Sequence, residues 1–82
     1  MTTTDLYSFV GYQVGHLTFL ADEGDREAGR ALRHLRLLRL RLRTLPPERA
    51  VEPLRGINHP VIRQVLEFAA AVIGEAGTLS VR

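Results

Sequence analysis

Leucine and arginine almost fill one central stretch of the chain, from Asp25 to Leu45. Both residue types favour helix. At about 100° per residue, one side of such a helix is apolar. The positions in this apolar stripe are Ala28, Ala31, Leu32, Leu35, Leu38 and Leu42. Asp25 is a suitable N-cap, and Pro46-Pro47 ends the helix because proline cannot continue it. The stretch therefore predicts an amphipathic helix over residues 25–45.

Three residues depart from this two-sided pattern. Leu37 and Leu40 project among the arginines, about 140–200° from the centre of the stripe, which predicts a second contact surface. Arg39 lies about 40° from that centre, where an arginine can extend to solvent or pair with a carboxylate. Residues 38–43 also alternate apolar and charged, as a half-exposed strand does. Helix is favoured because the run is rich in leucine and arginine and has no β-branched residue.

Another helix is predicted over residues 4–21, where apolar residues recur every three or four positions. Tyr12 and Phe19 lie about two turns apart on its opposite face, with Gly15 between them. Gly11 and Gly15 each cost about 1 kcal/mol relative to alanine inside a helix. Such glycines predict a close approach by another element.

The last long helix is predicted over residues 58–76. Asn58 is a suitable N-cap, Pro60 fits the first turn, and Gly77 is a suitable C-cap. More than half of the circumference is apolar, including Phe68, so this helix should be mostly buried. A chain of 82 residues can hardly cover such a helix alone, and self-association is therefore expected.

The connections complete a single all-α domain over residues 1–82. A short polar turn at residues 22–24 favours an antiparallel hairpin of the first two helices. A short helix is predicted near residues 47–52, and residues 78–82 fit either a frayed end or a short strand. The expected architecture is a bundle of three long helices (4–21, 25–45 and 58–76) plus the short helix, assembled as a homodimer.

Composition limits the classes of function. The chain has no cysteine, which excludes disulfides and thiolate metal sites. Its longest apolar run is too short and too polar to span a membrane, and the N-terminus has acidic Asp5 and no basic segment of a signal peptide. A cytoplasmic protein without a membrane segment is expected.

Few residues suggest catalysis. The histidines, His16, His34 and His59, are far apart in sequence and lack metal-site spacing. No phosphate-binding glycine loop or dinucleotide motif is present, and neither Ser8 nor Ser80 has a recognisable base nearby. No enzyme activity, metal or cofactor is therefore expected.

One segment, Arg55-Gly-Ile-Asn58-His59, resembles the arginine–histidine motif of HEPN ribonucleases, which are helical and usually dimeric. Three residues separate Arg55 from His59, a shorter spacing than in that family. The resemblance implies that the pair would bind and protonate around a scissile phosphate, with a second protomer completing the site. This ribonuclease function is the second alternative.

The leading hypothesis is a non-enzymatic protein–protein interaction module, such as an adaptor, regulator or inhibitor. Its expected partner or self-association surface comprises Tyr12, Gly15, Phe19, Leu37, Leu40 and Phe68. The first alternative is a nucleic-acid-binding regulator, because guanidinium groups on the far side of the arginine-rich helix match phosphate geometry. The candidate phosphate contacts are Arg26, Arg30, Arg33 and Arg41. Acidic residues, nearby or on a second protomer, would satisfy the same arginines equally well.

Overall fold

The computed structural model describes the backbone of residues 1–81 and the side chains of residues 1–74. Over that part of the chain all regular structure is helical, which confirms the all-α prediction. The elements are α1 (Thr3–Asp22), α2 (Arg26–Arg41), α3 (Pro47–Ala50), a 3₁₀ turn (Glu52–Leu54) and α4 (Pro60–Val81). None of the helices, over the described residues, has both the length and the apolar character needed to cross a bilayer.

Helix α1 begins with a capping box. The Thr2 hydroxyl accepts a hydrogen bond from the Asp5 amide at 3.2 Å, and the Asp5 carboxylate accepts one from the Thr2 amide at 2.8 Å. The N-cap is therefore Thr2, and the helix begins at Thr3, one residue earlier than predicted. Thr2 is favoured because its spacing from Asp5 satisfies two otherwise unpaired amides reciprocally.

A tight turn joins α1 to α2. Gly24 adopts φ 101°, a conformation that is strained for residues with a side chain. The Asp25 carboxylate then accepts from the Ala28 amide at 3.0 Å, which confirms Asp25 as the N-cap of α2. Of all pairs of elements, α1 and α2 share the most extensive contact. The turn and this contact produce the expected helical hairpin.

Helix α2 ends earlier than predicted, at Arg41 rather than at Leu45. The amides of Thr44 and Leu45 both donate to the Arg41 carbonyl, at 3.0 and 2.7 Å, which closes the helix with a turn. Pro46 disfavours helix in the residue before it and so prevents continuation. The alternative of a strand over residues 38–43 is wrong, because these residues lie in helix and turn.

The short helix near residues 47–52 is divided in two, α3 and the 3₁₀ turn. Pro53 has no amide hydrogen to continue an α-helical ladder, so the backbone tightens there. At the start of α4, His59 Nδ1 accepts from the Val61 amide at 3.1 Å. This side chain provides the cap in place of Asn58, which the sequence favours.

The far end of α4 also differs from the prediction. The helix continues through Gly77 to Val81, so neither an end at residue 76 nor a glycine C-cap is observed. The sequence leaves open whether residues 78–82 form a frayed end or a short strand. The helix covers that segment as far as Val81, and Arg82 lies outside the described residues.

The core lies between α1, α2 and α4 and is closed at one side by α3 and the 3₁₀ turn. All six apolar-stripe positions of α2 are buried, as predicted. The other elements contribute Leu6, Val10, Leu17, Ala50, Val51, Leu54, Ile62, Val65, Ala69 and Val72. Burial of one such leucine or valine contributes about 1.5–3 kcal/mol. The hairpin and α4 therefore share one apolar interior.

Candidate interaction surfaces

The outer face of α1 carries two exposed aromatic side chains. Tyr12 is 72% exposed and Phe19 is 63% exposed. Gly15 lies between them, and a Cβ built at this residue would meet no atom within 4 Å. Among the described residues, then, no other element approaches Gly15, contrary to the expectation from its cost in a helix. The result is an open gap between two aromatic rings on a solvent-facing surface, named here the α1 face (Tyr12, Gly15 and Phe19).

Gly11 has a different environment. A Cβ at this position would lie 3.7 Å from Cζ and Nη2 of Arg39. The neighbour of Gly11 is therefore a side chain of α2 rather than a backbone. A Cβ would make only ordinary van der Waals contact with it, so the guanidinium lies against α1 without requiring a glycine there.

Helix α2 also has an exposed apolar pair. Leu37 is 51% exposed and Leu40 is 59% exposed, whereas Leu35 and Leu38 of the same helix are buried. Leu37 and Leu40, named here the α2 face, project away from the core as their spacing predicts. Large exposed apolar residues that recur on separate helices are typical of contact surfaces when they form continuous patches.

Phe68 does not belong with these exposed residues. It is half-buried, and its ring stacks on Phe9 with centroids 4.7 Å apart and planes 8° from parallel. Its ring thus packs α4 against α1, and the expectation that Phe68 also contacts a partner stays a prediction. Gln13 supports the same helix contact, because its buried Nε2 donates to Gln64 Oε1 at 3.3 Å.

The predicted phosphate-contacting arginines separate into two places. Arg26, Arg30 and Arg33 are exposed and line one surface hollow of about 450 Å³ at the start of α2. Arg41 is half-buried and lines a different hollow beside Leu37. Among the described side chains, no arginine forms an ion pair with a carboxylate. The hollow, which Asp25 also lines, thus presents three arginines that form no ion pair with a described carboxylate.

The fold brings together two histidines that are distant in sequence. His34 and His59 line one hollow of about 210 Å³ with Glu27 and Arg30. No local sequence pattern predicts this proximity, since it depends on how the start of α4 packs beside α2. Over the described residues, no group of three or more histidine, cysteine or acidic side chains is arranged to hold a metal ion.

The segment that resembles the HEPN motif is divided: residues 57–59 line this hollow, whereas Arg55 does not. Arg55 is exposed and lines another hollow, beside Leu66 and Ile73. His59 Nδ1 is occupied by the Val61 amide, which leaves Nε2 as the nitrogen available to a ligand. Within one protomer, Arg55 and His59 therefore face different surroundings.

A cluster of Tyr7, Arg39 and Arg43 joins α1 to the end of α2. The Tyr7 hydroxyl accepts from Nη2 of Arg39 at 3.3 Å and from Nη2 of Arg43 at 3.2 Å. The Arg39 guanidinium carbon also lies 4.7 Å from the Tyr7 ring centroid, a cation–π contact. Arg39 Nε is buried and has no hydrogen-bond partner.

The electrostatic effect of this cluster falls on Tyr7. The hydrogen bond from Arg43 and the positive charges of both arginines lower the pKa of the Tyr7 phenol, while partial desolvation opposes the shift. Sequence reasoning missed the cluster as a site. The only signal was Arg39 within the apolar stripe, which predicted a carboxylate partner or solvent rather than a tyrosine.

Comparison with protein-family models, with curated proteins and with solved structures finds no match for this chain. The fold and the surfaces define a small all-α protein with exposed apolar and cationic patches. Its function is therefore proposed from the residues of these patches.

Proposed function

We propose that this protein is a non-enzymatic protein-interaction module of the cytoplasm, built on three long helices and working as a homodimer. The observation that carries the proposal is the α1 face, where two largely exposed aromatic rings flank a glycine whose Cβ position has no neighbour within 4 Å among the described residues. Aromatic side chains are enriched at the centres of protein interfaces. Such rings lose unfavourable contact with water when a partner covers them.

The α1 face is self-complementary. If two copies of α1 cross antiparallel at Gly15, a symmetry axis at that residue brings Tyr12 of one copy near Phe19 of the other. The missing side chain at Gly15 allows the two backbones to approach closely. A second copy of this chain is therefore the occupant that best matches this face.

The size of a stable interface calls for neighbouring residues as well. Standard interfaces bury about 800 Å² on each partner, more than two aromatic side chains provide. Exposed Ser8 and His16 on α1 would extend the contact as a polar rim. The α2 face lies on another helix and would remain available for a different protein, as an adaptor requires.

Sedimentation velocity at micromolar concentration tests this dimer. The unmodified protein should sediment as a dimer, and Phe19→Glu should weaken dimerisation by about thirtyfold or more, since a central aromatic contributes about 2 kcal/mol or more. Leu40→Glu is the matched control, because it adds the same charge at a similarly exposed apolar residue of the α2 face.

Each alternative outcome has a clear meaning. A strictly monomeric unmodified protein would refute the homodimer. If Leu40→Glu dissociates the dimer and Phe19→Glu has no effect, the dimer interface lies on α2 rather than on α1. Circular dichroism of each variant verifies that the helices are retained, since both residues are exposed and neither belongs to the core.

Nucleic-acid binding is the second candidate function. It is favoured by one observation, the three unpaired arginines around the hollow at the start of α2. Binding of a duplex oligonucleotide should weaken steeply with salt, and Arg33→Ala should reduce the salt slope by about one. Arg63→Ala, an exposed arginine on α4, is the control. Failure to bind heparin at low salt would exclude this function.

A further inference from the structure

The Tyr7 hydroxyl is saturated as an acceptor. A phenolic oxygen has two lone pairs, and Arg39 and Arg43 each donate to it, at 3.3 and 3.2 Å. The hydroxyl hydrogen of Tyr7 must therefore donate elsewhere. The remaining guanidinium hydrogens are donors too, so every polar group of the cluster that remains available to a ligand is a hydrogen-bond donor.

The cluster also concentrates positive charge without a counter-charge. Two guanidinium groups converge on one neutral oxygen, although like charges repel at this separation. Neither arginine forms an ion pair with a carboxylate of the described chain. An anion placed beside them would relieve the repulsion and receive charge-assisted hydrogen bonds, which are stronger than neutral ones.

Arg39 is held in place before any ligand arrives. Its guanidinium stacks on the Tyr7 ring at 4.7 Å and lies against Gly11, where a Cβ would be 3.7 Å away. Its Nε is enclosed by these contacts. A fixed guanidinium loses less conformational entropy on binding than a mobile one. Arg43 remains exposed and gives a ligand access from solvent.

We infer that Tyr7, Arg39 and Arg43 form a binding site for a phosphate group, presented either as free phosphate or as a phosphate monoester. A phosphate can turn a separate oxygen toward each guanidinium group and toward the phenol, whereas a carboxylate would have to share two oxygens among three donors and carries less charge. The site shares no residue with the α1 face or with the hollow lined by Arg26, Arg30 and Arg33. It therefore does not depend on either proposed function.

Tyr7 itself can report on occupancy. The chain has two tyrosines and no tryptophan, so Tyr12→Phe leaves Tyr7 as the sole tyrosine, and Tyr12 is too exposed for the change to disturb the core. The arginines lower the pKa of Tyr7. A bound phosphate would offset their charge, so the tyrosinate absorbance should develop at higher pH when phosphate is present.

The titration is run in sodium phosphate, glycerol phosphate, sodium acetate and sodium chloride at equal ionic strength. Phosphate should raise the Tyr7 pKa above its value in chloride and in acetate. A matching response to glycerol phosphate identifies a site that accepts esters, and a response to phosphate alone identifies a site for the free ion. Equal pKa values in phosphate and chloride would overturn the inference, and an equal rise in acetate would refute the preference for phosphate.

Arg43→Gln should weaken the affinity for phosphate about tenfold or more, because one charge-assisted hydrogen bond is lost. The affinity is read from the phosphate concentration that produces half of the rise in the Tyr7 pKa. Arg43 is exposed, so this variant should fold normally. The matched control is Arg36→Gln, which removes an exposed arginine of α2 that does not bond to Tyr7 and should retain the full response. An unchanged response in Arg43→Gln would refute the site.

Discussion

Leu37 and Leu38 are identical side chains on consecutive residues of α2, but they have opposite environments. Leu38 is 1% exposed and belongs to the core shared with α1 and α4, whereas Leu37 is 51% exposed. One step of about 100° along the helix separates the two environments. The apolar residues of α2 thus divide into those that stabilise the fold and those that remain exposed to solvent.

The same division is seen on α1. Leu6, Val10 and Leu17 face the core and are fully buried, while Tyr12 and Phe19 face solvent. On this helix the exposed apolar residues are larger than the buried ones. A fold that needed only these helices would be served equally well by polar residues on the outer faces, and this observation supports the proposal that those faces contact a partner.

The largest expected effect comes from truncating one leucine of the pair. Leu38→Ala should lower the free energy of unfolding by about 2–5 kcal/mol, because it leaves a cavity in a packed core. Leu37→Ala should change that free energy by less than about 0.5 kcal/mol, as surface substitutions usually do. Urea unfolding followed by circular dichroism measures both. If the two variants lose similar free energies of unfolding, Leu37 is covered in solution and the two leucines do not have opposite environments.

Much of the fold follows from local rules. The apolar stripe of α2 is predicted correctly because the period of the helix alone decides which leucines face the core. Asp25 is predicted correctly as a cap because its carboxylate meets an amide three residues away. The end of α2 is less predictable, since leucine and arginine tolerate both the helix and the turn that closes at Arg41.

The candidate sites depend on contacts between distant residues and are harder to predict. Tyr7 lies 32 residues from Arg39 and 36 residues from Arg43, and no local pattern joins them. His34 and His59 likewise meet only through packing. The stacking of Phe68 on Phe9 is not predicted either, because the spacing of apolar residues alone does not reveal which ring lies opposite. Sequence identifies which helix faces are apolar, but the partner of each face is fixed by tertiary structure.

Two arginines of α2, Arg39 and Arg33, also have opposite environments. The expected difference in the free energy of unfolding is smaller for this pair than for Leu37 and Leu38. Arg39 is half-buried over Tyr7 and Gly11, and Arg33 is exposed. Arg39→Ala should lower the free energy of unfolding by about 1–2 kcal/mol, through loss of the cation–π contact and of packing by its stem. Arg33→Ala should change it by less than about 0.5 kcal/mol. Urea unfolding in a phosphate-free buffer provides the measurement.

The buried Nε of Arg39 makes this second comparison informative. An unpaired buried donor costs about 1–3 kcal/mol, a penalty that opposes the stabilising contacts of the same side chain. Arg39→Met retains an apolar stem while removing both the charge and the unpaired donor. If Arg39→Met is more stable than the unmodified protein and Arg39→Ala is less stable, the apolar stem of Arg39 stabilises the fold and its guanidinium group destabilises it. That result would connect the guanidinium to binding rather than to folding, and equal losses in both variants would instead assign it a purely structural role.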